Sequence, residues 1–135
     1  MSIIDYEDRI VEIVQKEDHS DFLYDLLDVY DTPRATITRL KNGNLNLAKR
    51  AGEVHLKNKV WFKEVGKGNI FDGFVDIEQQ VAELSAKPRY LIVTDFDGIL
   101  VKDTKTQEAL DIKFEQLPQH FSIFLGFCCK VKKYS

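Results

Sequence analysis

The chain has 135 residues, 44% of them hydrophobic and 30% charged, with a formal net charge of −3. That is enough chain for one globular domain with an ordinary core, and too little for two. No apolar run is long enough to span a bilayer and no signal peptide opens the sequence, so a cytoplasmic location is expected.

The modest net charge conceals a segregation. Met1 to Asp31 carries ten acids against Arg9 and Lys16, a net of −8, whereas Arg34 to Lys67 carries nine bases against Glu53 and Glu64, a net of +7. Such a basic block either lies along a phosphate backbone, releasing counterions, or pairs with the acidic helices of the same molecule. Charge alone leaves both open.

In chain order, Ile3, Tyr6, Ile10, Ile13 and Val14 recur at helical spacing. So do Phe22, Leu23, Leu26, Leu27 and Tyr30, with Asp18 or Ser20 available as a cap between the two helices. Thr32-Pro33 reads as a cap followed by a first-turn proline, and Asn42-Gly43 as a stop, giving a short helix over Pro33 to Lys41, although its β-branched residues leave a strand open. Glu53 to Leu56 and Val60 to Val65 read as strands joined around Lys57-Asn58-Lys59. After a loop at Gly66 to Asn69, Phe71, Phe74, Ile77, Val81 and Leu84 form the stripe of a longer helix, which Pro88 cannot continue.

Tyr90 to Thr94 is an apolar, β-branched strand that delivers Asp95 and Asp97 at its end, followed by Gly98. In isolation this resembles the opening of haloacid-dehalogenase-like phosphatases, with Asp95 as nucleophile and Asp97 as general acid. Ile99 stands where that family has threonine, and too little chain follows for its lysine and magnesium carboxylates. The competing reading is a hairpin turn, followed by strands at Ile99 to Lys102 and Glu108 to Phe114 around a polar turn at Asp103 to Gln107. Leu117-Pro118 then opens a closing helix with Phe121, Phe124 and Leu125 on one face.

A second resemblance covers far more of the chain. Pro88-Arg89-Tyr90-Leu91-Ile92-Val93-Thr94-Asp95-Phe96, then Leu100 to Thr106, then Leu117-Pro118 with His120-Phe121 and Phe124 look like the amino-terminal region of type IIG restriction-modification enzymes. Those are single chains that join a nuclease-like domain to an adenine-specific DNA methyltransferase. Ala35 to Leu40, Asn42 to Lys49 and Gly52-Glu53-Val54 extend the similarity, which runs roughly from Phe22 to Phe124. It implies an α/β fold of restriction-endonuclease-like type, a mixed sheet flanked by helices, over residues 1–127. Residues 128–135 depart from the family pattern as an atypical tail.

That fold cuts DNA with an aspartate near the end of one strand and Glu-x-Lys on the next, the carboxylates holding magnesium. Placed on this chain, the aspartate position falls on His55 and the Glu-x-Lys on Lys63-Glu64-Val65, so an acid site holds a base and the lysine site holds valine. The expectation is a degenerate nuclease site without a bound metal, magnesium being needed only if ligands such as Glu12, Asp72 or Asp76 join Glu64. His55 and Glu64 are otherwise expected on a solvated strand face. Arg39, Lys41, Lys49, Arg50, Lys57, Lys59 and Lys63 are the candidate DNA contacts. The methyltransferase's glycine-rich cofactor loop and its Asn-Pro-Pro-Tyr type loop are both missing, so methylation is not expected from these residues. The expected partners are DNA and, for a docking module, a methyltransferase subunit or domain. Cys128 and Cys129 are adjacent and expected as reduced thiols, and the departure of the tail suggests a truncated or frame-shifted gene.

Overall fold

The structure, a computed structural model, describes residues 3–127. The atypical tail with Cys128 and Cys129 lies outside the described residues. Three helices come first: α1 (Ile3–Val14), α2 (Phe22–Val29) and α3 (Arg34–Lys41). The anticipated side-chain caps do not form. Asp18 instead accepts the Ser20 N–H at 2.9 Å in a tight turn, and Asp21 takes the N-cap position of α2 without a side-chain bond. Pro33 occupies the N-cap of α3 at φ −56° and ψ 140°, one position earlier than a first-turn proline; it supplies the extended ψ that lets the chain enter the helix.

The remaining chain builds a five-stranded sheet ordered β1-β2-β3-β4-β5. Strands β1 (Glu53–Leu56) and β2 (Val60–Glu64) form an antiparallel hairpin. Helix α4 (Ile70–Ala82) then crosses over to β3 (Tyr90–Thr94), which runs parallel to β2. Strands β4 (Gly98–Asp103) and β5 (Ala109–Lys113) complete an antiparallel meander. The fold class is α/β, a mixed sheet flanked by helices, as the sequence implied.

Strand alternation explains how the sheet acquires two cores. Val60 and Phe62 of β2 and Tyr90 and Ile92 of β3 face α1, α2 and the closing segment, in one cluster with Ile10, Phe22, Leu26 and Phe124. Trp61, Leu91 and Val93 face the other way, against Phe74, Ile77 and Val81 of α4. Strand β3 is buried throughout because it lies at the centre of the sheet with helices on both faces, so its sequence reads as an unbroken apolar run.

The closing segment, Phe114–Phe127, is a pair of 3₁₀ stretches meeting at a kink at His120, where an ordinary helix was expected. Pro118 lacks an N–H and disrupts an α-helical ladder. Phe114 and Leu117, then Phe121, Phe124 and Phe127, recur every third residue, the period of a 3₁₀ turn. Tyr30 Oη donates to the Phe121 carbonyl at 2.7 Å, and the Gly126 N–H donates to Tyr90 Oη at 2.9 Å, tying this segment to α2 and β3.

Candidate nuclease-like site and basic surface

The hairpin turns about Asn58, which has a φ of 66°, so pairing runs symmetrically from it: His55 lies across from Trp61 and Glu53 across from Lys63. The acid opposite Lys63 is therefore Glu53, two residues from the His55 position that the sequence comparison singled out. All four side chains point towards α4. Glu53 is almost wholly buried, its side chain only 2% exposed. Its Oε1 accepts the Trp61 indole N–H at 3.0 Å, while Oε2 lies 2.8 Å from Arg50 and 3.2 Å from Lys63 Nζ.

Asp76 closes the cluster from α4. Its Oδ2 accepts Lys63 Nζ at 3.0 Å and Gln80 Nε2 at 3.3 Å, the latter one helical turn further on, and it also receives the Arg50 guanidinium. Arg50, then Lys63, hold the Asp76 carboxyl below the usual carboxylate range, and Asp76 in turn raises Arg50. Two carboxylates from different elements thus converge on a single ammonium. Magnesium demands several hard oxygen ligands in near-octahedral array, and here the point where both carboxylates meet is filled by Lys63 Nζ. The donor set does not fit that ion. Among the described residues there is no group of three or more His, Cys, Asp or Glu side chains placed to hold a metal.

The other positions of the anticipated site scatter. His55 is only 5% exposed, not on a solvated face; its ring stacks on Trp61 with centroids 4.5 Å apart, and Nε2 is buried without a hydrogen-bond partner among the described residues. Asn46 explains why that stretch of the edge strand is covered. Its Oδ1 accepts the His55 N–H at 2.9 Å and its Nδ2 donates to the Glu53 carbonyl at 3.2 Å, so the preceding loop runs alongside β1. Val65 shares the α4 side and packs near Gly73, but brings no charge. Glu64 is exposed, as expected of it, and alternation turns it to the opposite face. There it lines a cleft of about 370 Å³ with Phe62, Phe96, His19 and Arg50. The proposed substitute ligands do not join it: Asp76 is on the other side of the sheet, Asp72 is exposed in the first turn of α4, and Glu12 lines a groove between α1 and α2.

The predicted DNA contacts divide into two groups. Arg50 and Lys63 are committed to Glu53 and Asp76, and Lys41 pairs with Asp21 at 3.4 Å with its Nζ 5.3 Å from the Tyr24 ring centroid. Intramolecular pairing therefore accounts for part of the basic block. Arg39, Lys49, Lys57 and Lys59 make no ion pair with any described residue. Lys57 and Lys59 occupy the tip of the hairpin, the end opposite Arg50 and Lys63.

Asp95 binds the backbone of the β3–β4 hairpin, the turn that the competing reading of this segment expected. Its Oδ1 accepts the amides of Asp97 and Gly98 at 2.9 and 2.8 Å, and its Oδ2 accepts Gly68 N–H at 3.1 Å. Burial pushes its carboxyl upward, but those amides outweigh it and hold the group below the ordinary range. Phe96, at φ 64°, supplies the left-handed residue of the turn.

Glu53 was legible only as part of a resemblance, and Asp76 only as a substitute ligand beside Glu64. The signal that finds both is geometric: symmetry about Asn58 brings Glu53 opposite Lys63, and α4 then lays Asp76 over that pair. The family described as "MmeI, N-terminal domain" matches residues 1–134. Over 127 residues the chain is 72% identical to DNA methyltransferase A of Bacillus subtilis (strain 168), a match covering 94% of this chain and 14% of that protein. The chain thus spans about a seventh of its relative's length. No solved structure matches. The family match covers every residue described above, and the chain belongs to the MmeI N-terminal domain family, the amino-terminal domain of type IIG restriction enzymes.

Proposed function

We propose that this chain is a DNA-contacting domain of a type IIG restriction-modification protein, one that does not cut DNA with its own residues. The observation that carries the reading is the Lys63 ammonium lodged between Glu53 and Asp76. A metal ion in a nuclease polarises the phosphate and lowers the pKa of bound water so that hydroxide forms at neutral pH. An ammonium of single charge does neither, and its presence neutralises the carboxylates that would recruit the ion. Phosphate contact has no comparable geometric demand: it needs accessible cations, and the hairpin tip offers two that make no ion pair with any described residue, Lys57 exposed and Lys59 half-exposed.

Methylation belongs, in this reading, to a methyltransferase region or subunit with which the domain works. The name and greater length of the Bacillus subtilis relative support that association. No helix among the described residues is long and apolar enough to cross a membrane.

The test is binding of the purified chain to a labelled duplex across a potassium chloride series, with and without magnesium. We expect binding that weakens steeply with salt, as counterion release requires, and that is indifferent to magnesium. Absence of binding even at low salt would leave only a protein-docking role towards the methyltransferase and overturn the DNA-contact reading.

A further inference from the structure

The two ends of the sheet carry opposite charge. At one end, three connections lie side by side: the β1–β2 turn at 57–59, the segment entering β3 at 87–89, and the β4–β5 turn at 104–108. Backbone bonds stitch them together, since Tyr90 N–H donates to the Lys59 carbonyl at 3.0 Å and Thr104 N–H to the Arg89 carbonyl at 2.8 Å. Thr104 Oγ1 adds a 2.7 Å bond to the Pro88 carbonyl. Lys57, Lys87 and Lys105 are exposed here and Lys59 is half-exposed. Lys87 Nζ is anchored to the carbonyls of Val81 and Leu84 at the carboxyl end of α4, where a cation is favoured. The buried acid of this end, Asp103, is answered by Arg89 through bonds of 2.6 and 2.8 Å, leaving Glu83 and Glu108 as its exposed acids.

The opposite end is acidic. Glu64, Asp72, Asp95, Asp97 and Glu115 cluster around the ends of β2 and β3 and the turn into β4, against Lys67 and Lys113. A strand of five residues at about 3.3 Å each separates the ends by roughly 16 Å. That exceeds the Debye length of about 10 Å at 0.1 M salt, so an approaching polyanion meets each end as a separate patch.

We infer that duplex DNA lies across the lysine-bearing end of the sheet, its phosphates met by Lys57, Lys59 and Lys105, with the end carrying Glu64, Asp95 and Asp97 turned away. This rests on the DNA-contact reading above and assigns its surface, adding Lys105, which lies far along the chain from the basic block. Three strand spacings of about 4.8 Å put the two turns roughly 14 Å apart. That is comparable with the major-groove width of about 12 Å, so the two lysine groups reach phosphates on either side of one groove. Arg50 and Lys63, bound to their carboxylates, take no part.

The experiment compares the full chain with two triple variants on a 30-base-pair duplex, from about 50 to 300 mM potassium chloride, the slope being read as counterions released. One variant carries Lys57→Gln, Lys59→Gln and Lys105→Gln; the other carries Arg39→Gln, Lys41→Gln and Lys49→Gln. The first is expected to bind at least tenfold more weakly at low salt, with its salt slope reduced by about 2.7, three contacts at about 0.9 each. The second is expected to stay within about threefold of the wild type, a change worth less than one such contact. Lys105→Glu alone is expected to weaken binding several-fold while leaving the melting temperature unchanged. If the wild type binds but the first variant keeps its affinity and slope, or both variants lose equally, the surface assignment is wrong while the DNA reading stands. If the wild type does not bind at all, both fall.

Discussion

His55 shows how burial changes a residue's meaning. In the sequence it occupies a metal-ligand position; in the structure it is stacked on Trp61 with Nε2 unpaired, and burial lowers its pKa from the ordinary value. The unfolded chain therefore takes up this proton first as pH falls. Stability from a neutral His55 is complete above the unfolded value of about 6.5 and erodes as pH drops below it, until the folded imidazole also protonates. Thermal melts between pH 7.5 and 5.5 should show a falling melting temperature. His55→Phe, which keeps the stack and removes the titration, should flatten that fall and raise stability at pH 6 by about 1 kcal/mol, the cost of a buried unpaired polar atom. An unchanged pH profile in the variant would show that His55 is not the titrating group. The same scale explains why Glu53 was hard to see: a lone glutamate at the start of a strand carries no motif, and its partners Trp61 and Lys63 lie eight and ten positions away in a register the sequence does not print.

At the scale of elements, most of the architecture was legible because its signals are local. Helix periodicity identified α1, α2 and α4, and the strands of the meander followed from β-branched runs bounded by turn residues. The closing segment was misread for an equally physical reason: spacing of three residues suits one face of an α-helix and one face of a 3₁₀ helix alike, and only the proline and the packing of Phe124 and Phe127 against Tyr90 decide between them. The seating of α4 on the sheet was not legible at all. Gly73 is buried where a Cβ would stand 2.7 Å from Val65 Cγ1 and 3.2 Å from Val93 Cγ1. Alanine would gain about 1 kcal/mol of helix propensity in solution. Here Gly73→Ala should instead destabilise by about 1–3 kcal/mol in chemical denaturation, because α4 must move off the strands and loosen the Asp76 contact with Lys63. A stabilised variant would mean that α4 sits less closely than described.

For the whole molecule, the two-sided core and the charge distribution point the same way. Burial on both faces fixes the sheet rigidly between α1, α2 and the closing segment on one side and α4 on the other. Within that frame the residues at a nuclease's expected centre neutralise one another, while unpaired lysines collect at the far end of the hairpin. The linear sequence displayed the basic block but could not say which of its members were spent on Glu53, Asp76 and Asp21. The central claim is that Lys63 takes the place of a catalytic cation, leaving a domain that holds DNA without cutting it. Its most direct test is incubation of supercoiled plasmid with excess purified chain in magnesium and, separately, manganese, followed by electrophoresis. The account predicts that the plasmid remains supercoiled under both ions; metal-dependent nicking that disappears in Glu53→Ala would contradict it.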